Sequence, residues 1–192
     1  MEKYDEETCA RLLKIAKKHC NCLNDTDRIV SVCPKRLMSR GIDLYGMFWP
    51  EMEMSKYIIC KGKLTTNERS KNYAYYFDEK DRLRLTERYG DHRDLINKIY
   101  YYYYENSTEI VWYNLKRKTI SMVGFIDYEN GKLIRFVESY DLESVLKYNE
   151  KIESYHEYQF NTDPVFVIDR VFAADMFSDG RVWEKISKMK KR

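Results

Sequence analysis

The stretch Asp127-Tyr128-Glu129-Asn130-Gly131-Lys132-Leu133-Ile134 carries the clearest local folding signal in this chain. Asn130-Gly131 predicts a two-residue β-hairpin, because a type I′ turn requires positive φ at both central residues and Asn and Gly accept it most readily. A loop of two residues would place Phe125 opposite Phe136. The stretch therefore predicts antiparallel β-structure at this point of the chain.

Two earlier segments resemble this turn, and the three start at residues 79, 105 and 129, so they are 26 and 24 residues apart. They are Glu79-Lys80-Asp81-Arg82 and Glu105-Asn106-Ser107-Thr108, and each follows an aromatic-rich run. In the second hairpin, a loop at Asn106-Ser107 would place Tyr103 opposite Ile110. Residues 56–160 are thus predicted to form a β-meander with three repeated hairpins. Both faces of the third hairpin are partly apolar, so the sheet should be covered on both sides or curled over itself.

Two of the turn segments resemble the tyrosine–aspartate hairpin repeats (YD or Rhs type) of bacterial Rhs and toxin-delivery proteins. The lines are Tyr76-Phe77-Asp78-Glu79-Lys80-Asp81-Arg82-Leu83 and residues 127–134. The resemblance implies a sheet of sequential hairpins. By association, it also implies a small protein encoded beside a polymorphic toxin, such as an immunity protein, with the cognate toxin as its partner.

Outside the meander, residues 5–20 are predicted to form a helix with Asp5 as its N-cap. Its buried stripe has helical spacing and consists of Cys9, Leu12, Leu13, Ala16 and Cys20. Residues 28–33 have strand character, and residues 181–192 are predicted to be a basic C-terminal helix or tail with Val182, Trp183 and Ile186 inward. The expected fold is α+β. A single domain spans residues 1–192, with the N-terminal helix packed on a meandering antiparallel sheet of about six to eight strands.

Tyrosine is the unusual component of the composition. The chain has 18 Tyr against 8 Phe and 3 Trp, and 15 of the tyrosines lie between residues 73 and 158. Tyrosine offers a large contact area with little loss of rotamer entropy, which suits protein interfaces. One face of the second hairpin is predicted to carry the candidate binding residues Tyr100, Tyr102, Tyr104 and Tyr113. The alternative is that these rings pack in the core.

The charge pattern argues against a membrane and gives little support for a nucleic-acid partner. The net charge is +3. Residues 181–192 hold six basic residues and one acidic residue, so the other residues sum to −2. The chain has no apolar run near the roughly 18 residues of a membrane span, and its acidic start has no apolar core typical of a secretory signal. We therefore expect a cytoplasmic protein. A single-stranded nucleic-acid binder using exposed tyrosines remains an alternative.

Chemistry-bearing motifs are scarce, so we assign no catalytic residue, metal or cofactor. The main exception is Asp91, His92 and Asp94 in a charged turn, which would suit a small hydrolase or nuclease. Five cysteines, an odd number, argue against a closed disulfide framework, and their spacing does not fit a structural zinc site. The preferred hypothesis is a non-enzymatic protein-binding module such as a toxin-neutralising immunity protein. The oligomeric state is left open.

Overall fold

The computed structural model describes residues 5–41, 43, 62–140, 142–148, 150, 152, 154–160, 166–172 and 182–188, the last two ranges without their side chains. The contacts divide the chain into two compact units. The first contains Met1–Cys20, Tyr103–Glu109 and Ile120–Lys190; the second contains Asn21–Tyr102 and Ile110–Thr119, together with Lys191–Arg192. The start of the predicted meander, residues 56–61, which include Cys60, lies outside the described residues.

The described residues form three α-helices and eleven β-strands. The helices are α1 (Glu6–Lys18), α2 (Thr26–Ser31) and α3 (Leu142–Tyr148). The strands are β1 (Lys35–Arg40), β2 (Lys63–Leu64), β3 (Tyr73–Phe77), β4 (Leu83–Tyr89), β5 (Leu95–Tyr103), β6 (Ser107–Asn114), β7 (Thr119–Glu129), β8 (Lys132–Tyr140), β9 (Ser154–Gln159), β10 (Phe166–Phe172) and β11 (Val182–Lys188). The α+β class is confirmed, and the strands are more numerous than the six to eight expected.

Helix α1 begins where the sequence predicts and ends two residues early. The Asp5 side chain accepts a hydrogen bond from the Thr8 backbone N–H at 3.2 Å, which satisfies one free donor of the first turn. Cys9, Leu12 and Ala16 are buried as expected. Cys20 is exposed, because the helix ends at Lys18 and a 3-10 turn follows at Cys22–Asp25.

In the first unit, strands β7 to β11 pair antiparallel in chain order. The β7–β8 turn has φ of 51° at Asn130 and 73° at Gly131, as the type I′ prediction requires. The predicted register fails beyond it, because a bulge between Asp127 and Tyr128 places Phe125 opposite Val137 instead of Phe136. Such a bulge depends on neighbouring elements rather than on the turn itself.

An ion pair and a ring contact fix α1 on the β7–β8 hairpin. Arg11 donates two hydrogen bonds to the Asp127 carboxylate, at 2.9 and 2.7 Å, and Arg135 adds a third at 2.8 Å. The Arg11 guanidinium also lies 3.7 Å from the centre of the buried Phe125 ring. The prediction that the N-terminal helix packs on an antiparallel sheet is therefore confirmed within this unit.

In the second unit, the strands pair antiparallel in the order β2-β1-β3-β4-β5. The strand predicted at residues 28–33 is wrong, since Thr26–Ser31 is helix α2, which buries Ile29 and leaves Val30 exposed. Tertiary packing of one apolar side chain here outweighs the β-preference of branched residues.

The first two predicted turns are placed correctly along the chain, but their loops differ from those predicted. Asp78 N–H donates to the Arg82 carbonyl at 3.0 Å and Asp81 has a φ of 57°, which makes a three-residue loop. In the second turn, Tyr104 N–H donates to the Ser107 carbonyl at 2.8 Å, so the loop is residues 105–106. Moving a loop by one residue shifts the register by two, which leaves the side-chain faces unchanged.

The C-terminal helix predicted at residues 181–192 is wrong over residues 182–188, which form strand β11. Ile186 pairs with Ile168 and Trp183 with Val171 of the apolar strand β10. The same apolar positions suit a helix stripe or a paired strand, and only the partner strand decides between them. Among the described residues, no helix is long and apolar enough to cross a membrane.

We predict that Arg11→Ala lowers the free energy of unfolding by about 2 kcal/mol, because it removes two charge-assisted hydrogen bonds and a ring contact at a partly buried site. The matched control is Arg28→Ala, which removes a single bond to Asp25 from a side chain that is 69% exposed. It should cost less than about 0.5 kcal/mol. Urea unfolding followed by circular dichroism measures both, and equal losses would contradict the role given to Arg11.

Candidate functional site

The four predicted binding tyrosines differ sharply in accessibility. Tyr100, Tyr102 and Tyr113 are buried, and burial raises the pKa of each; Tyr104 is 45% exposed. The Tyr100 hydroxyl lies 2.9 Å from the Thr26 hydroxyl, so this ring is held inside the second unit. Binding through the four stays a prediction, and of them only Tyr104 offers a large accessible surface.

Tyr104 belongs to a tightly bonded cluster around Glu109. One carboxylate oxygen, Oε2, accepts hydrogen bonds from Lys18 at 2.9 Å, His19 at 2.7 Å and Tyr104 at 3.0 Å. Burial disfavours the ionised carboxyl, but the bonds from His19, Lys18 and Tyr104 outweigh it and lower the pKa of Glu109 to about 2. These three hydrogen bonds leave Oε2 no capacity to bind a ligand, which indicates that Glu109 has a structural role.

The turn that carries Asp91, His92 and Asp94 shows no catalytic geometry. All three residues are exposed. The turn is held by its own backbone, with Gly90 N–H donating to the Asp94 carbonyl at 2.9 Å and Arg93 N–H to the Gly90 carbonyl at 3.0 Å. These contacts explain the turn without any ligand or reacting group.

The described cysteines do not form a metal-binding cluster. None of Cys9, Cys20, Cys22 and Cys33 forms a disulfide, and burial raises the pKa of Cys33, which disfavours the reactive thiolate. No group of three potential metal-ligating side chains occurs in the described ranges.

Glu138 is the buried acid with unused bonding capacity. It lies on β8 opposite Gly124 of β7 and His156 of β9, and it is only 3% exposed. The Tyr158 hydroxyl donates to Oε1 at 3.1 Å. The other oxygen, Oε2, is buried and receives no hydrogen bond of good geometry from any described residue. An unfilled buried oxygen is costly, so it marks a place where a ligand would bring a gain.

Partly exposed rings surround this acid on the same face of the sheet. Tyr140, two residues along β8, is 39% exposed and meets the His156 ring edge-on at 6.0 Å between centroids. The Tyr158 ring packs on Phe136 at 5.5 Å. We call Glu138, Tyr140, His156 and Tyr158 the Glu138 patch.

The electrostatics of the patch favour a neutral Glu138. Burial raises the pKa of Glu138, and the nearby hydroxyls of Tyr140 and Tyr158 and the His156 ring offset this only in part. The facing residue on β7 is Gly124, which supplies no charge or hydrogen bond from a side chain. A perturbed acid beside accessible rings is typical of functional sites.

The neighbours of Gly124 leave no room for a side chain at this position. A Cβ at this position would lie 2.7 Å from the Val137 carbonyl oxygen and 3.0 Å from the Phe136 ring. Backbone on one side and a buried ring on the other cannot both give way. The glycine therefore leaves room for Phe136, which in turn supports Tyr158.

Sequence reasoning did not single out Glu138. With 31 carboxylates in the chain, no local pattern distinguishes those that folding buries. The register of three strands is needed to place Glu138.

The chain matches no family model, no curated protein and no solved structure at a significant level. The case for the site therefore rests on its geometry.

We predict that Glu138→Gln is at least as stable as the unchanged protein at neutral pH and that its advantage grows with pH. A folded pKa above the unfolded value of about 4.5 means that folding favours the protonated acid, so stability is lost as pH rises through the folded pKa. Glutamine carries no charge and escapes this loss, which amounts to about 1.4 kcal/mol per pKa unit. Urea unfolding at pH 4, 6 and 8 tests it, and a pH-independent difference would contradict it.

The opposite pH dependence is expected for Glu109→Gln. The folded pKa of about 2 lies below 4.5, so ionised Glu109 stabilises the fold above that pH and the contribution is lost as pH falls towards 2. We predict a loss of about 2 kcal/mol at pH 7, allowing for solvent screening, and almost none at pH 2. The same unfolding series measures it, and a loss that persists undiminished in acid would refute the charge-based explanation.

Proposed function

We propose that this chain is a non-enzymatic protein-binding module and that the Glu138 patch is its contact surface. The observation that carries the proposal is the combination of accessible aromatic rings with a buried, incompletely bonded acid on adjacent strands of one sheet. A protein partner could contact both the rings and the acid, and no chemical reaction is needed to explain them.

The physical properties of the patch support this role. Tyrosine and histidine rings contribute large contact areas, and their polar atoms can bond at a partner's surface. The rings here are held by neighbouring strands: Tyr158 by Phe136 and Glu138, Tyr140 by His156. A surface ordered in advance loses little entropy on binding, which favours affinity.

The partner we propose is a toxin encoded beside this chain, which the chain neutralises in the cytoplasm. Support comes from the resemblance of residues 76–83 and 127–134 to hairpin repeats of toxin-delivery proteins. An immunity role needs a stable complex and no reaction, which agrees with the choice of binding over catalysis.

The other two hypotheses have less structural support. The Asp91, His92 and Asp94 turn offers exposed side chains in a backbone-held loop rather than a site for hydrolysis. A single-stranded nucleic acid needs a positively charged groove. The Glu138 patch instead has an acid at its centre, so it does not suit this ligand.

We predict that Tyr140→Ala weakens binding to the partner protein by about 30-fold or more, the loss of a residue that contributes about 2 kcal/mol at an interface. The chain is co-expressed with each protein encoded next to its gene, and the affinity of any complex is measured by calorimetry.

The matched control is Tyr148→Ala, which removes a tyrosine from α3 that is 62% exposed and lies outside the patch. It should leave affinity within a factor of about three. If no neighbouring product forms a complex, the binding proposal fails; if both variants bind as well as the unchanged chain, the Glu138 patch is not the contact surface.

A further inference from the structure

We propose that the Glu138 patch receives one lysine or arginine side chain of its partner, with the cationic end against the Glu138 carboxylate and the Tyr140 and Tyr158 rings beside it. This inference rests on the protein-binding role proposed above and specifies the chemistry that the patch recognises.

Two other glutamates of the chain show what completes such a site. Glu87 of β4 accepts hydrogen bonds from the Tyr76 and Tyr89 hydroxyls at 3.0 and 2.6 Å, and the Lys98 ammonium lies 3.6 Å from its other oxygen. Glu87, like Glu138, lies between two tyrosines in a β-sheet. The difference is that Glu87 also has a lysine beside it.

Glu109 repeats the arrangement. It accepts from the Tyr104 hydroxyl at 3.0 Å and from the Lys18 ammonium at 2.9 Å. Within the part of the chain that the structure describes, Glu138 has tyrosine neighbours and no lysine or arginine paired with it, and its Oε2 is the oxygen left without a hydrogen bond. The missing component is therefore a cation with hydrogen-bond donors.

The aromatic rings of the patch suit the same ligand. Lysine ammonium groups lie 4.3 Å from the Tyr104 ring centre and 4.2 Å from that of Tyr89, so this chain already places cations over tyrosine rings beside glutamates. The negative face of a ring attracts a cation most strongly where water is excluded. Tyr140 and Tyr158 would supply this attraction around Glu138.

A neutral or acidic ligand would gain less from the patch. Among the side chains that the structure describes, the groups that face Glu138 are Tyr140 on its own strand and Tyr158 and His156 on β9, while Gly124 on β7 contributes no side chain. None of them supplies a fixed positive charge to the acid. A cationic side chain would favour the ionised form of Glu138, so binding should weaken as the solution becomes acidic.

Access would require the Tyr140 side chain to move. Oε2 is buried in the free protein, and Tyr140, whose hydroxyl bonds to Glu138, is 39% exposed. Rotation of an accessible side chain takes picoseconds to nanoseconds and leaves the strand pairing intact. The ring can therefore turn to admit a slender chain that ends in a charge.

The test uses the full chain with ¹³C-labelled glutamate and three small probes: N-acetyl-lysine methylamide, N-acetyl-arginine methylamide and the uncharged N-acetyl-norleucine methylamide. The Glu138 side-chain carbonyl carbon reports both binding and protonation by NMR. We expect a cationic probe to bind with a Kd of about 1–10 mM, about tenfold more tightly than the norleucine probe. Its binding should also lower the pH at which Glu138 titrates.

Two variants separate the site from the rest of the surface. Glu138→Gln should reduce binding of the cationic probes to the level of norleucine, whereas Glu109→Gln, at an acid already paired within the chain, should leave it unchanged. The inference is overturned by equal binding of the norleucine probe, by unchanged binding to Glu138→Gln, or by no shift at about 100 mM probe.

The two proposals fail in different ways. If a neighbouring gene product binds, is lost with Tyr140→Ala and is retained in full by Glu138→Gln, the patch is a protein-binding surface and the cation inference is wrong. If the cationic probes bind through Glu138 while no protein partner forms a complex, the cation site stands and the protein-binding proposal is wrong.

Discussion

Every tyrosine that folding buries brings a hydroxyl that must keep a hydrogen-bond partner. Leaving one unpaired in the interior costs free energy comparable to the whole net gain of a hydrogen bond. At several of its rings the chain meets this constraint by burying polar acceptors beside them. Tyr75 donates to Asp43, and Tyr102 to Asp25. Tyr76 and Tyr89 share Glu87. At these positions the buried tyrosines and the acids beside them are thus parts of one arrangement.

The acids that satisfy tyrosines create a second requirement, since a carboxylate removed from water needs a positive charge or a proton. At Glu109, hydrogen bonds from His19 and Lys18 outweigh burial, and the pKa falls to about 2. At Glu138, burial prevails and the pKa rises. Two glutamates that each accept a tyrosine hydroxyl therefore have pKa values shifted in opposite directions, and the hydrogen bonds that Glu109 receives from His19 and Lys18 account for the difference.

The sequence predicts those parts of the fold that depend on local chemistry. The Asn130-Gly131 turn and the capping of α1 by Asp5 follow from backbone preferences of single residues, and both are correct. The bulge at Asp127, the helical state of residues 26–31 and strand β11 depend on what packs against them, and local patterns do not contain that information. A one-residue bulge changes every later pair, which is why Phe125 meets Val137.

The candidate site, like the bulge and strand β11, depends on what packs against it and not on local sequence. Tyrosine was a sound guide to the kind of surface but a poor guide to its place, because the densest run, residues 100–104, buries its first three rings and exposes only Tyr104 to a large extent. Consecutive tyrosines on a strand point to both faces of the sheet, so a run of them must contribute to packing on each side. Accessible rings occur instead at strand ends, at Tyr104 just after β5 and at Tyr140 at the end of β8. A search for tyrosine-based surfaces in such sheets should therefore weigh position in the strand above density, and should look beside the rings for an acid that lacks its cation.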